Sequence, residues 1–336
     1  MDILYQFNDK YTPYAGISIT SLFENNKDAD EITVWVLGEG LSGDSVDRFD
    51  RLKDKYSRKI NYIDASSLVD KIKDMGMPSY RGSYAANIRM FISELFPEDV
   101  KRVLYLDADT IVMSDISDLY DFDLKGHTLG MVYDCLGEKH KGEIGLKDDE
   151  GYYNSGVILF DVGKWRERDY TGKIIDHVKN VRAQYPSPDQ DLINVVCRGD
   201  IFTLSPKYNF QPFHKAYSVR DYYRNYAHTL YYTEDELREA SGDTKIIHFF
   251  RFIGEFPWNK GNVHPFNDVF DEYMKISLWR DYVKKPADSG FAIRCEKVLY
   301  KLLPSSLFLA IFRIGHRIFY LRSNKMSEKN KINKTM

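Results

Sequence analysis

Residues 104–112 read LYLDADTIV, an apolar run of strand character that contains two carboxylates two positions apart. Side chains alternate along a strand, so Asp107 and Asp109 are expected on one face. Two like charges side by side destabilise each other unless something positive lies between them. Two explanations fit. Asp115 and Asp118 follow closely, so the acids could mark a strand running into a polar turn. Alternatively, the pair holds a divalent cation through oxygen ligands, the kind of cation that also binds phosphates.

Working outward, short apolar runs alternate with helical patterns. ILYQF, ITVWVL, KINYI, RVLYLD and TLGMVYD read as strands, and PYAGISITSLFENN, GDSVDRFDRLKDKY and YAANIRMFISELF between them as helices. Continuous apolar strands separated by helices predict an α/β fold, a mainly parallel twisted sheet covered on both faces. Ligands of such sheets bind beyond the carboxyl ends of the strands, where the first strand here ends in polar FNDKY. After Gly151 the pattern continues as SGVILFD (strand), GKWRERDYTGKIIDHVKNV (helix), DQDLINVVC (helix) and KIIHFF (strand). No internal repeat and no linker divides the chain before about residue 283. The expectation is one catalytic domain over 1–282 and a separate tail over 283–336.

The 336 residues are 43% hydrophobic, ample for a large core, and the formal charge of −3 argues against a protein that coats nucleic acid. Cys135, Cys197 and Cys295 are too few and too scattered for a disulfide framework or a zinc cluster. A reducing, cytoplasmic compartment is the simpler expectation, and MDILYQFNDKY has the marks of no secretory signal. The charge is uneven. From Phe291 onward ten Lys/Arg face two acids, so this end carries +8 and the first 290 residues −11.

A cation needs further ligands. His248 closes the apolar run TKIIH and could reach the same sheet edge; an O,O,N set would favour Mn²⁺ or Mg²⁺, with imidazole leaning toward Mn²⁺. A rival enzyme class also fits the acids. LDADTIV resembles the first motif of haloacid dehalogenase-like phosphatases, in which the first Asp is a nucleophile and the second an acid/base, and Lys147, Asp148 and Asp149 offer further groups. Position weighs against it, because that motif belongs on the first strand of its fold and here some hundred residues precede it.

Seven segments in order carry a more specific likeness: MDILYQFNDKYTPYAGISITSLFENN, SYAANIRMFISELF, LYLDAD, GMVYD, YYNSGVILFD, PDQDLIN and IIHFFRFIGEFPW. Together they resemble glycosyltransferase family 8, retaining hexosyltransferases with a GT-A-type nucleotide-sugar-binding fold. The resemblance implies a UDP-sugar donor, UDP-glucose or UDP-galactose, and a glycan or lipid-linked glycan acceptor. It implies that Asp107, Asp109 and His248 hold the metal, that Tyr11 stacks on the uracil and Asn8 bonds its edge, and that Arg89 lies near the donor sugar and diphosphate. For Arg89 a helix-surface position is the competing reading. Ala108 and Gly254 count among the donor-binding residues, and Asp134, Asn154, Asp189 and Gln190 surround the transferred sugar. Ser187 to Gln190 also reads as a capping box with Pro188 at the first helical position.

One departure stands out. Relatives commonly carry a diphosphate-contacting lysine after the histidine, where HFFRFIGEFPW has Phe256 and a late Gly254. Either Arg251 or Lys260 supplies the charge, or the metal and Arg89 suffice; a degenerate nucleotide-sugar binder is the non-enzymatic alternative. In the tail, Arg313, His316, Arg317 and Tyr320 share one helical face, with Leu307, Ile311, Ile314, Ile318 and Leu321 mostly opposite. A helix packed on the domain would explain it. An interfacial helix on the anionic inner face of the cytoplasmic membrane explains the apolar content and the +8 together.

Overall fold

The computed structural model describes residues 1–312 apart from 65, 79–83, 182–184 and 227. In chain order the strands are β1 (Asp2–Asn8), β2 (Thr33–Glu39), β3 (Lys59–Ile63), β4 (Arg102–Asp107), β5 (Thr110–Val112), β6 (Leu129–Tyr133), β7 (Tyr153–Asp161), β8 (Ile201–Thr203) and β9 (Ile246–His248). Seven of them form one sheet in the order β3-β2-β1-β4-β7-β6-β8, and β5 pairs with β9 apart from it. Within the large sheet only β7 runs against its neighbours. This is the mixed, mainly parallel sheet expected.

The period of two along the strands sorts side chains to two cores. Ile3, Tyr5, Phe7, Leu104 and Leu106 join one, Leu4, Val103 and Tyr105 the other. With both faces covered, continuous apolar strands are the stable solution, each fully buried Leu, Ile or Phe contributing about 1.5–3 kcal/mol. The helix Thr12–Asn25, with proline in its first turn, buries Thr12 and every residue from Ala15 to Phe23, so it is covered all round.

Three local readings change. The run LYLDADTIV is not one strand. β4 ends at Asp107, Ala108 and Asp109 form a turn, and β5 leaves the sheet to pair antiparallel with β9, Thr110 opposite His248. The Thr110 hydroxyl donates to the Asp107 carbonyl (2.8 Å) and the Phe249 N–H to the Asp109 carbonyl (2.7 Å), which fixes the corner. The acids therefore converge through a turn, not through strand alternation. YAANIRMFISELF is wound as a 3₁₀ helix over Ala85–Phe91 followed by one α-turn, Ile92–Leu95. GKWRERDYTGKIIDHVKNV is two helices, Val162–Glu167 and Tyr170–Asn180. Between them Asp169 takes a left-handed conformation, and its carboxylate accepts the Gly172 N–H as the cap of the second helix.

At the C-terminal end, the helix Phe291–Leu302 is followed by a helical stretch over 305–312 in which Phe308 and Leu309 are buried. Arg313, Ile314, His316, Arg317, Ile318, Tyr320, Leu321 and the end of the tail lie outside the described residues. Among the described residues no helix is long and apolar enough to cross a membrane.

Candidate active site

A cavity of about 620 Å³ opens at the carboxyl edge of the sheet. Asp107 enters it from the end of β4, Asp134 from just beyond β6, and Asn154 from the start of the reversed β7. Asp189 and Gln190 come from the first turn of the helix Pro188–Val196, and His248 from the end of β9. Asp107, Asp109 and His248 bring one ligand atom each to within 4.8 Å of one another. His248 Nε2 stands 3.3 Å from Asp109 and 3.7 Å from Asp107. Its Nδ1 lies 3.1 Å from Asn154 Oδ1, which fixes the ring and leaves the Nε2 lone pair facing the two acids. Gly156 makes room for that ring, since a Cβ there would lie 2.1 Å from His248 Cε1. Burial opposes charge on His248, yet Asp109 and Asp107 outweigh it and raise its pKa. Two carboxylates and an oriented imidazole are a donor set that fits Mn²⁺ or Mg²⁺.

The sheet supplies the next groups through an irregularity. The β6–β7 register shifts between Met131 and Val132, releasing Ser155 and Gly156 from regular pairing. The Ser155 N–H donates to Gln190 Oε1 (3.0 Å), and its carbonyl accepts Arg89 Nη1 (2.8 Å). Arg89 is only 5% exposed, so the surface reading does not hold for it. Its guanidinium lies 4.0 Å over the Tyr105 ring, with Nη2 3.4 Å from both Asp107 and Asp189. Burial raises the pKa of Asp189, an effect that Arg89 counteracts.

Asn154 joins the metal cluster to the sugar side. Its oxygen also accepts from Gly156 N–H and Asn209, while its Nδ2 donates to Asp134 Oδ2 (2.9 Å). The capping box is not formed, because the Ser187 side chain caps nothing and the Gln190 side chain turns into the cavity instead. Its Nε2 donates to the Tyr152 hydroxyl (2.8 Å) and, more weakly, to Asp134 Oδ2 (3.3 Å). Tyr152, Ser155 and His140 also line the cavity, and Asp191 lies behind them. Sequence reasoning missed all four, since no spacing rule joins residues 140, 152 and 191.

Tyr11 lines the cavity edge-on to Tyr14. Asn8 ends β1 outside the lining, with its side-chain oxygen buried and unpartnered. Ala108 is buried in the turn between the acids, also outside the lining. Lys147, Asp148 and Asp149 are exposed and do not reach the cavity, which leaves the phosphatase motif without its supporting groups.

Phe250, Arg251 and Phe256 also line the cavity. Between them, Phe252 and Glu255 close a tight turn in which Ile253 and Gly254 both have positive φ. A Cβ on Gly254 would come 2.6 Å from Ile293 of the C-terminal helix, so this glycine serves the contact with that helix and not the cavity. Glu255 is buried and paired with Lys297 of the same helix (2.8 Å). Phe256 stacks on Trp258 (4.4 Å), and the Arg251 guanidinium lies 5.3 Å from its ring. Arg251 thus brings a cation to the cavity beside Phe256, whereas Lys260 does not line it.

The chain is 26% identical to the general stress protein A of Bacillus subtilis over 286 residues, 83% of this chain and 94% of that one. It is 25% identical to the lipopolysaccharide 1,2-glucosyltransferase of Escherichia coli K12 over 306 residues, 90% and 85% of the two chains. Among solved structures, the galactosyltransferase LgtC in complex with donor and acceptor sugar analogs superposes with a TM-score of 0.66 at 26% identity, covering 84% of this chain and 99% of that one. Residues 2–261 match the family model for Glycosyl transferase family 8, and with the strand order and the acid–acid–histidine corner in place, this chain belongs to that family of glycosyltransferases.

Proposed function

We propose that this glycosyltransferase moves glucose or galactose from a UDP-sugar to a glycan or lipid-linked glycan of the cell surface, with retention of configuration. The observation that carries the reading is the convergence of Asp107, Asp109 and His248 beside the buried Arg89 in one cavity. Similarity to a lipopolysaccharide glucosyltransferase and to LgtC supports a hexose donor and a glycan acceptor. Mn²⁺ or Mg²⁺ held by the three ligands would supply neutralisation of the diphosphate leaving group without protonating it. Around it the protein's own groups divide the work. Tyr11 offers its ring to the uracil, and the resemblance gives the uracil edge to the Asn8 amide at the end of β1. Arg89 adds fixed positive charge toward the diphosphate and sugar. Asp134, Asn154, Asp189 and Gln190 hold the sugar hydroxyls and favour positive charge on the ring. Gln190 is a poor nucleophile, so retention is read as front-face attack, the acceptor hydroxyl losing its proton to the departing phosphate.

The division into a catalytic part, 1–282, and a tail, 283–336, belongs to the same reading. The helix Phe291–Leu302 buries no residue and exposes Phe291 (79%), Val298 (55%) and Leu302 (74%) along one face, with Arg294 and Lys301 beside it. An apolar stripe flanked by bases on a +8 segment suits an anionic lipid surface, which supports a peripheral position on the inner face of the cytoplasmic membrane as part of this proposal.

The test is UDP release from UDP-glucose and UDP-galactose without acceptor, in Mn²⁺ and in excess chelator. Slow, metal-dependent release from one of them is expected; release from neither contradicts the donor assignment. Co-sedimentation with phosphatidylglycerol vesicles that weakens with salt is expected of the tail, and failure to sediment at low salt contradicts that part alone.

A further inference from the structure

Behind the sugar side of the cavity lies a line of hydrogen bonds that the reaction set out above does not use. Asp191 has no solvent exposure, yet its carboxylate meets three donors. The Ser187 N–H reaches Oδ2 at 2.8 Å; the Tyr152 hydroxyl (2.7 Å) and His140 Nε2 (3.0 Å) reach Oδ1. The Tyr152 hydroxyl donates its proton to Asp191. The phenol oxygen is thereby left as an acceptor, and Gln190 Nε2 lies 2.8 Å from it. The other end of that amide is fixed separately, because its Oε1 takes the Ser155 N–H released by the β7 irregularity. Gln190 is oriented from both ends. One of its N–H bonds points at Tyr152, and the other makes only a 3.3 Å contact with Asp134, long enough to be exchanged for a sugar hydroxyl.

We propose that Tyr152, held by Asp191 and His140, is a positioning residue for sugar transfer, fixing the Gln190 amide so that its second N–H meets the donor sugar beside Asp134. The inference rests on the donor assignment above. Without the phenol oxygen the amide is held at one end only. A misplacement of roughly 1 Å in a positioning group can lower turnover by about 100-fold. Because Tyr152 also lines the cavity, a direct contact with substrate is the rival account.

A double-mutant cycle on the full chain separates the two. Tyr152→Phe keeps the ring and its packing, and Mn²⁺-dependent UDP binding reports that the fold and donor site persist. We expect kcat to fall about 10- to 100-fold, with donor KM and UDP affinity within about twofold of the wild type. Adding Tyr152→Phe to Gln190→Ala should cost less than about twofold further, because the amide through which Tyr152 acts is gone. Unchanged turnover in Tyr152→Phe, a full additional loss on the Gln190→Ala background, or loss of UDP binding would each overturn the proposal. A wild-type chain that neither binds UDP with Mn²⁺ nor releases it from a donor would overturn the donor reading instead.

Discussion

Arg89, Asn154 and Gln190 stand on one part of the cavity wall, the first two buried and the third half-buried, each held by at least three bonds or close charges to fixed neighbours. Arg251 stands on another, largely exposed, its guanidinium beside the face of Phe256. The first part grows from the sheet edge and the helix that crowns it. The second is a tight turn leaning on the C-terminal helix through Gly254, Glu255 and Lys297. The two parts suit different kinds of work. A metal and a reacting sugar need groups placed to within fractions of an ångström, which requires supporting bonds. A flexible diphosphate can be met by a cation that moves to it.

The contrast is tested most severely at Arg89. Arg89→Ala leaves Asp107 and Asp189 close together without their shared counter-charge, and a loss of about 3–5 kcal/mol in urea denaturation is expected. Added Mn²⁺ should restore part of it by neutralising Asp107. A loss below about 1 kcal/mol would mean that the wall is not held by charge.

Acid tests two buried histidines, of which His264 supports the second part. His264 donates to the Phe250 carbonyl (3.1 Å), and burial lowers its pKa to about 4; burial lowers that of His214 to about 3. Both rings stay neutral in the folded state while the unfolded chain takes up protons below about pH 6.5. Stability is therefore present above that pH and lost as pH falls from about 6.5 toward 3–4. The two together should cost about 2–4 kcal/mol at pH 5. Equal denaturation midpoints at pH 7.5 and 5 would refute this.

Gly156→Ala drives a methyl group into the His248 ring, and Mn²⁺ affinity should drop about 10- to 100-fold with a smaller effect on stability. Arg251→Ala should have the smallest effect, donor KM rising about 5- to 10-fold with kcat little changed. If it abolished turnover, the exposed part of the wall would matter to the chemical step no less than the rigid part.

Much of the site was legible because metal chemistry leaves a short, local trace. Asp107 and His248 each close an apolar run with Asp109 two positions after the first, and the order of segments brought in Asp134, Asn154, Asp189 and Gln190. What the chain did not disclose depends on contacts remote in sequence. The turn at Ala108 is set by β9, some 140 residues on. The inward turn of Arg89 follows from a 3₁₀ winding that a helical period does not distinguish from an α-helix. Ser187 and Gln190 matched a local capping rule, and the cavity offered Gln190 better partners. Tyr152, Asp191 and His140 look ordinary in sequence and acquire their roles only when three segments meet.

The most direct measurement is calorimetric titration of the full chain with UDP, with and without Mn²⁺, repeated on Asp109→Asn. The account predicts binding that requires Mn²⁺ and is lost in the variant, while the variant's thermal unfolding stays close to that of the wild type. Metal-independent UDP binding of equal strength in both chains would contradict it, since Asp107, Asp109 and His248 would then not be the point at which the nucleotide is held.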